Sequence, residues 1–210
     1  MNDFPFFDTN GFSDMKDALD EGNKKFIEKY VQEKIVFYDI EEEKNGEIRF
    51  SPQSKNTDGY LTAFAHTASR GEDEGGKKYD THPCENDLFR CKRDCIDGFI
   101  GDYQERTKKR MYCSYRLARI FIFYEMIKLY KNGDKRIHLV PSEDKTQNGS
   151  LRRRMKFIYI DNKEFYLAII EKVKHGTGYK YHYVTCFPIT SVKWKRELKK
   201  ECKNYKKREK

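Results

Sequence analysis

No stretch of the chain approaches the about 18 consecutive apolar residues of a membrane span. Glycine-rich phosphate loops, a G-x-S-x-G nucleophile elbow and paired carboxylates in a recognisable context are also missing. Their absence removes most of the case for hydride transfer, kinase-type ATP chemistry and α/β-hydrolase chemistry. The opening Met1-Asn-Asp-Phe-Pro-Phe-Phe lacks the basic and apolar regions of a secretory signal. The six cysteines (Cys84, Cys91, Cys95, Cys113, Cys186 and Cys202) are therefore expected as reduced thiols in a cytoplasmic protein. No internal repeat or low-complexity linker divides the chain.

What is present is charge and aromatic surface. Charged residues make up 37% of the 210 and aromatic residues 15%, so Tyr and Phe must supply much of the core. The formal net charge is +9, and after Leu151 the basic residues far outnumber the acids. The asymmetry aims one end of the molecule at an anionic partner, although a basic face that only keeps the protein soluble would read the same way.

Periodicity predicts the elements. Asp14 to Lys34 reads as an amphipathic helix capped by Ser13. Ile35–Ile40 and Glu47–Phe50 read as a hairpin turning at Lys44-Asn45-Gly46. Tyr60–His66 is a short apolar element, Arg70–Pro83 a mobile loop, and Leu88–Phe99 a helix. Glu105–Tyr130 reads as the longest helix, closed at Asn132-Gly133. Arg136–Val140 is a strand ended by Pro141, with a polar loop over Ser142–Ser150.

The arginine cluster Arg152-Arg153-Arg154 then leads into three segments, Lys156–Ile160, Phe165–Ile170 and Tyr179–Ile189. Aromatic and β-branched enrichment with turn residues at both joints predicts a three-stranded antiparallel meander. Trp194, Leu198, Cys202 and Tyr205 place a basic helix after it. The expected fold is α+β, with helices packed on a twisted antiparallel sheet. Residues 1–100 form an N-terminal helix, hairpin and loop region, and 101–210 form the core with its basic tail.

Arg116 and Arg119 share one helix face and need carboxylates or a phosphate. His66 stands in Phe64–Gly71 beside Ser69 and Arg70, ahead of the loop, and is the favoured proton-transfer group. His182 is the other. Strict alternation along Tyr181–Thr185 places Thr185 with Tyr181 and Tyr183, away from His182, unless a bulge intervenes. His82, Cys84, Cys91 and Cys95 match no standard zinc knuckle, so no metal or cofactor is expected.

The residues Arg116-Leu-Ala-Arg119-Ile120, the strands Phe157–Ile160 and Tyr166–Glu171, and Tyr183-Val-Thr-Cys-Phe187 together resemble phage-associated nucleases of the barnase, EndoU, colicin and RelE superfamily. The resemblance covers Cys113 to Ile189. It implies metal-independent RNA cleavage to a 2′,3′-cyclic phosphate and a 5′-hydroxyl in a toxin-like or phage-related endoribonuclease, with Arg116, Arg119 and Thr185 as the residues that carry over.

The combined expectation is catalysis by His66, Arg119, His182 and Thr185. RNA phosphates would lie on Arg116, Arg152, Arg153, Arg154 and Lys156, a protein inhibitor or antitoxin is a candidate partner, and no membrane is involved. A competitor that uses the same positive charges is a non-catalytic nucleic-acid-binding or inhibitory protein, and a third reading is an adaptor that binds protein through the acidic N-terminal helix.

Overall fold

The structure, a computed structural model, describes residues 4–9, 11–50, 55–56, 58–71, 103–105, 108–145, 149–189 and 191–208. The expected loop beyond Gly71, the helix Leu88–Phe99, the quartet His82, Cys84, Cys91 and Cys95, and the boundary at residue 100 all lie outside the described residues. The fold is α+β. Its elements are α1 (Met15–Phe26), β1 (Ile35–Asp39), β2 (Lys44–Arg49), α2 (Thr62–Ala68), β3 (Ser69–Gly71), β4 (Tyr103–Glu105), β5 (Lys108–Tyr112), α3 (Ser114–Leu117), α4 (Ile122–Lys131), β6 (Ile137–Lys145), β7 (Leu151–Ile160), β8 (Phe165–His175), β9 (Gly178–Pro188) and α5 (Val192–Arg208). Among the described residues no helix is long and apolar enough to cross a membrane. The elements group into two compact units, Met1–Gln32 with Ser51–Ile122, and Glu33–Phe50 with Phe123–Lys210.

The first unit is built around α1, which continues as a π-helical stretch over Ile27–Gln32. Its cap is Asp14 rather than the expected Ser13. The Asp14 carboxylate accepts from the Asp17 N–H at 2.9 Å, while Ser13 Oγ donates to the Asp17 side chain. Ala18, Leu19, Phe26 and Tyr30 are buried along one side. Gly22 sits in the same stripe because a Cβ there would press on Leu117 and Phe64. The Tyr60 hydroxyl donates to Asp20 at 2.7 Å and the Tyr30 hydroxyl to the Ile120 carbonyl at 2.9 Å. A small sheet of order β3-β5-β4 belongs to the same unit.

The long helix expected over Glu105–Tyr130 is replaced by β4, β5, α3, a set of tight turns and α4. Residues 105–110 are all polar and offer a helix no apolar stripe to bury. Farther on, Ile120, Phe121, Ile122 and Phe123 are four consecutive β-branched or aromatic residues. One helix stripe cannot bury adjacent positions, so the chain turns through i→i−3 hydrogen bonds (Arg119 to Arg116, Ile120 to Leu117, Ile122 to Arg119) before α4 begins. The end at Asn132-Gly133 is as expected, with Gly133 at φ +70°.

The second unit is a six-stranded sheet of order β1-β2-β9-β8-β7-β6. The meander is present as β7, β8 and β9, paired antiparallel in sequence. The sheet is mixed rather than purely antiparallel, because β2 pairs parallel with β9 through Ile48↔Tyr181 and Arg49↔His182. The N-terminal hairpin is thereby part of the sheet.

Both faces of the sheet are covered. On one, Phe157 packs edge-on against Phe37, Phe123 and Tyr130, with centroids 5.4–5.8 Å apart. On the other, Val140, Ile158, Phe165 and Leu167 meet Leu198 and Cys202 of α5. Burial on both sides explains why β8 reads as a continuous apolar run.

Three boundaries differ from expectation. The hairpin turns over residues 40–43, with Glu43 at φ +51°, because the Asp39 carboxylate accepts from the Glu41 and Glu42 N–H groups at 2.9 and 3.4 Å. Lys44-Asn45-Gly46 lies in β2, where Gly46 is required because any Cβ would enter the Tyr181 ring. Pro141 does not end β6, which runs on to Lys145 through the first four residues of the expected polar loop. It is an edge strand, and a missing N–H on its open side breaks no ladder bond. The arginine cluster consequently lies inside β7 rather than ahead of it.

Candidate functional site

Register and alternation sort the polar residues of the second unit by face. Lys156 bonds Glu201 of α5 at 2.6 Å and Ile158 packs in the α5 cluster, so the even-numbered residues of β7 face α5. The pairs Ser142↔Arg154, Arg154↔Glu171, Glu171↔His182 and Arg49↔His182 then form one continuous row. It reads Arg49, His182, Glu171, Arg154, Ser142 across β2, β9, β8, β7 and β6. Neighbouring Cβ atoms in such a row are about 5 Å apart, within hydrogen-bonding reach of one substrate. His182 and Arg49 are exposed, and Glu171 and Arg154 are half-buried.

Thr185 joins this face through a register shift. Ile169 pairs with Thr185 while Ile170 pairs with Tyr183, leaving Val184 as the extra residue of a β-bulge. Tyr183 therefore turns toward Phe123 at 5.2 Å, and Thr185 turns to the α5 side with Ile169 and Phe187. The alternation expected from sequence is overturned: His182 and Thr185 share a face, with Thr185 buried at its floor.

The basic residues nominated on β7 are all ion-paired. Arg152 holds Glu171 at 3.1 Å, Arg153 holds Glu143 at 3.1 Å, Arg154 holds Asp144 at 2.9 Å and Lys156 holds Glu201. Arg153 points to the opposite face, where its Nη1 donates to the Tyr179 hydroxyl at 2.8 Å. Among the described residues, two buried side-chain polar atoms lack a hydrogen-bond partner, Ser142 Oγ and Arg154 Nε. They belong to directly opposed residues at one end of the row.

The remaining candidates lie in the first unit. His66 is in the last turn of α2. Arg116 donates from Nη1 to the Ser69 carbonyl at 2.5 Å. Arg119 is stacked on Tyr115 and Phe6, its guanidinium carbon 3.6 and 4.4 Å from the ring centroids, and donates to the Tyr115 carbonyl at 3.1 Å.

The opposite face of the sheet carries a second polar cluster. Lys172, 2% exposed, places its ammonium 3.0 Å from Asp39, 2.9 Å from Glu41 and 2.8 Å from Glu42. Burial pulls the Lys172 pKa down, but hydrogen bonds to Glu42, Glu41 and Asp39 outweigh it and leave the group raised. The Tyr181 hydroxyl donates to Asp39 at 2.5 Å, and burial, followed by that carboxylate, pushes its pKa up. A cavity of about 180 Å³ adjoins the cluster, lined by Glu41, Glu42, Glu143, Arg153 and Lys172 together with Pro141 and with Ser142 and Arg154 of the row. Lys172↔Tyr181 is the pair next to Glu171↔His182, so the network braces from behind the strands that carry the row.

Sequence reasoning missed Glu171, Arg49 and the Asp39–Lys172 network. Glu171-Lys172 does interrupt the apolar run of β8, which is a readable signal. Nothing local announces Arg49, whose place depends on pairing with a strand more than a hundred residues away. Comparison with protein-family models, with curated proteins and with solved structures finds no significant match to this chain.

Proposed function

We propose that the protein is an RNA endonuclease that uses the row on the α5 face and cleaves by attack of the substrate's own 2′-hydroxyl. The single observation that carries this reading is the juxtaposition of a carboxylate and an imidazole, Glu171 and His182, between two guanidiniums, Arg49 and Arg154. Such cleavage needs a base, an acid and cations for the extra phosphate charge, and the row contains one of each type.

In this reading the Glu171 carboxylate takes the 2′-hydroxyl proton as the 2′-oxygen attacks phosphorus. The bond from phosphorus to the 5′-oxygen breaks, and protonated His182 gives its proton to that oxygen. The products are a 2′,3′-cyclic phosphate and a 5′-hydroxyl. Arg49, Arg154 and Lys156 offset the charge on the phosphorane, and the Thr185 hydroxyl orients a non-bridging oxygen. Base, acid and cations are all side chains, so the step requires no metal ion.

The partnerless Ser142 Oγ and Arg154 Nε mark the end of the row as polar, although both atoms are buried and would have to be uncovered before meeting a phosphate oxygen. Burying an unsatisfied polar group costs about 1–3 kcal/mol. His66, Arg116 and Arg119 have no role in this step.

A second reading, RNA binding without cleavage, is favoured by the ion pairs that already engage Arg152, Arg154 and Lys156. Incubation with total RNA in excess EDTA separates the two. Discrete fragments ending in cyclic phosphates support the nuclease, whereas intact RNA retarded on a native gel supports the binding protein.

A further inference from the structure

We propose that the outer side of α5 is an extended RNA-binding track, so that the preferred substrate is a strand running several nucleotides beyond the scissile phosphate. The proposal rests on reading the α5 face as an RNA site and names the substrate class that site selects.

Arg196, Lys199, Lys200 and Lys203 are exposed and fall at helical spacing on one side of α5. At 1.5 Å per residue they span about 10 Å, long enough to follow more than one phosphate. None has a carboxylate partner among the described residues, in contrast to all four basic residues nominated on β7. Lys195, half-buried behind them, has its pKa lowered by burial and then by the neighbouring charge of Lys199.

The helix that carries the track is tied to the strand that carries Arg154. Glu201, next to Lys200 and two residues before Lys203, bonds Lys156, which lies two residues along β7 from Arg154 on the same face.

The chemistry favours RNA over a lipid surface. Interfacial helices keep an apolar side for the bilayer, but Leu198 and Cys202 are consumed in the core, with Trp194 and Tyr205 packed against it. The exposed apolar residue of α5 is Val192, at its first position.

The test measures binding of an unstructured RNA of about 30 nucleotides over ~50–300 mM KCl, using full-length protein carrying His182→Asn so that the RNA stays intact. Adding Arg196→Gln, Lys199→Gln, Lys200→Gln and Lys203→Gln should flatten the slope of log affinity against log salt by about 2.8, at about 0.7 for each phosphate that is no longer neutralised. Glu197→Lys, at an exposed position between them, should steepen it by about 0.7. An unchanged melting temperature shows that each variant is folded.

Equal slopes in all three proteins would overturn the proposal. Competition by polyglutamate as strong as by RNA would also do so, assigning the track to an acidic protein. Failure of the wild type to cut any RNA would remove the nuclease reading while leaving the slope comparison to decide this one.

Discussion

His182 of β9 stands directly opposite Glu171 of β8, and both side chains lie on the α5 face of the sheet. If the two act as base and acid in one step, their losses cannot add. Glu171→Gln and His182→Asn should each lower kcat/KM on RNA by about 100-fold or more, and the double variant should be no worse than about tenfold below either single one. Additive losses in a kinetic double-mutant cycle would separate their roles.

Lys172→Met should destabilise the fold by about 3 kcal/mol, lowering the melting temperature by about 6–12 °C, because Asp39 stays fully buried with its cation gone. Adding Asp39→Leu should restore part of the loss. A single variant as stable as wild type would show that buried Asp39 does not depend on this lysine as its counter-charge.

The same network sets an alkaline limit. Lys172 and Tyr181 both have pKa values raised in the folded state, so the unfolded chain releases these protons first. Tyr60, raised by burial and then by its hydrogen bond to Asp20, acts in the same direction. Their stabilising contribution is complete below pH about 10 and declines as pH rises toward the folded-state values. Urea unfolding between about pH 8 and 11 should show this fall, and Tyr181→Phe should make it shallower.

Gly46→Ala tests the packing beneath the hairpin. The backbone accepts alanine there, but its methyl group would enter the Tyr181 ring, which sits 4.9 Å centroid to centroid from Phe37 in the core. Overpacking of this kind costs about 1–3 kcal/mol, readable as a lower urea midpoint. An unshifted midpoint would mean that Tyr181 can move without disturbing Asp39.

The meander was legible because its signals are local. Phe165–Ile170 and Tyr179–Ile189 are rich in β-formers, and the β8–β9 joint carries Gly176 at φ +58°. The stripe Trp194, Leu198, Cys202, Tyr205 likewise announced α5 and its docking side. What escaped depends on distant partners. The parallel join of β2 to β9 brings Arg49 beside His182, and no pattern near residue 49 encodes it.

Two further misses came from reading single residues too strictly. Pro141 ends a central strand but is tolerated on an edge, and the edge position of β6 is a property of the whole sheet. The bulge at Val184 reverses the face of Thr185, and with it the composition of the candidate site. Alternation alone gave the opposite arrangement, since an inserted residue leaves no mark in hydrophobic period.

The most direct test of the nuclease reading is the end chemistry of RNA cut by pure protein in excess EDTA, compared with His182→Asn. The account predicts 2′,3′-cyclic phosphates and 5′-hydroxyls from the wild type, with cleavage at least about 100-fold slower in the variant. Fragments with 3′-hydroxyl and 5′-phosphate ends, or equal cutting by both proteins, would contradict it.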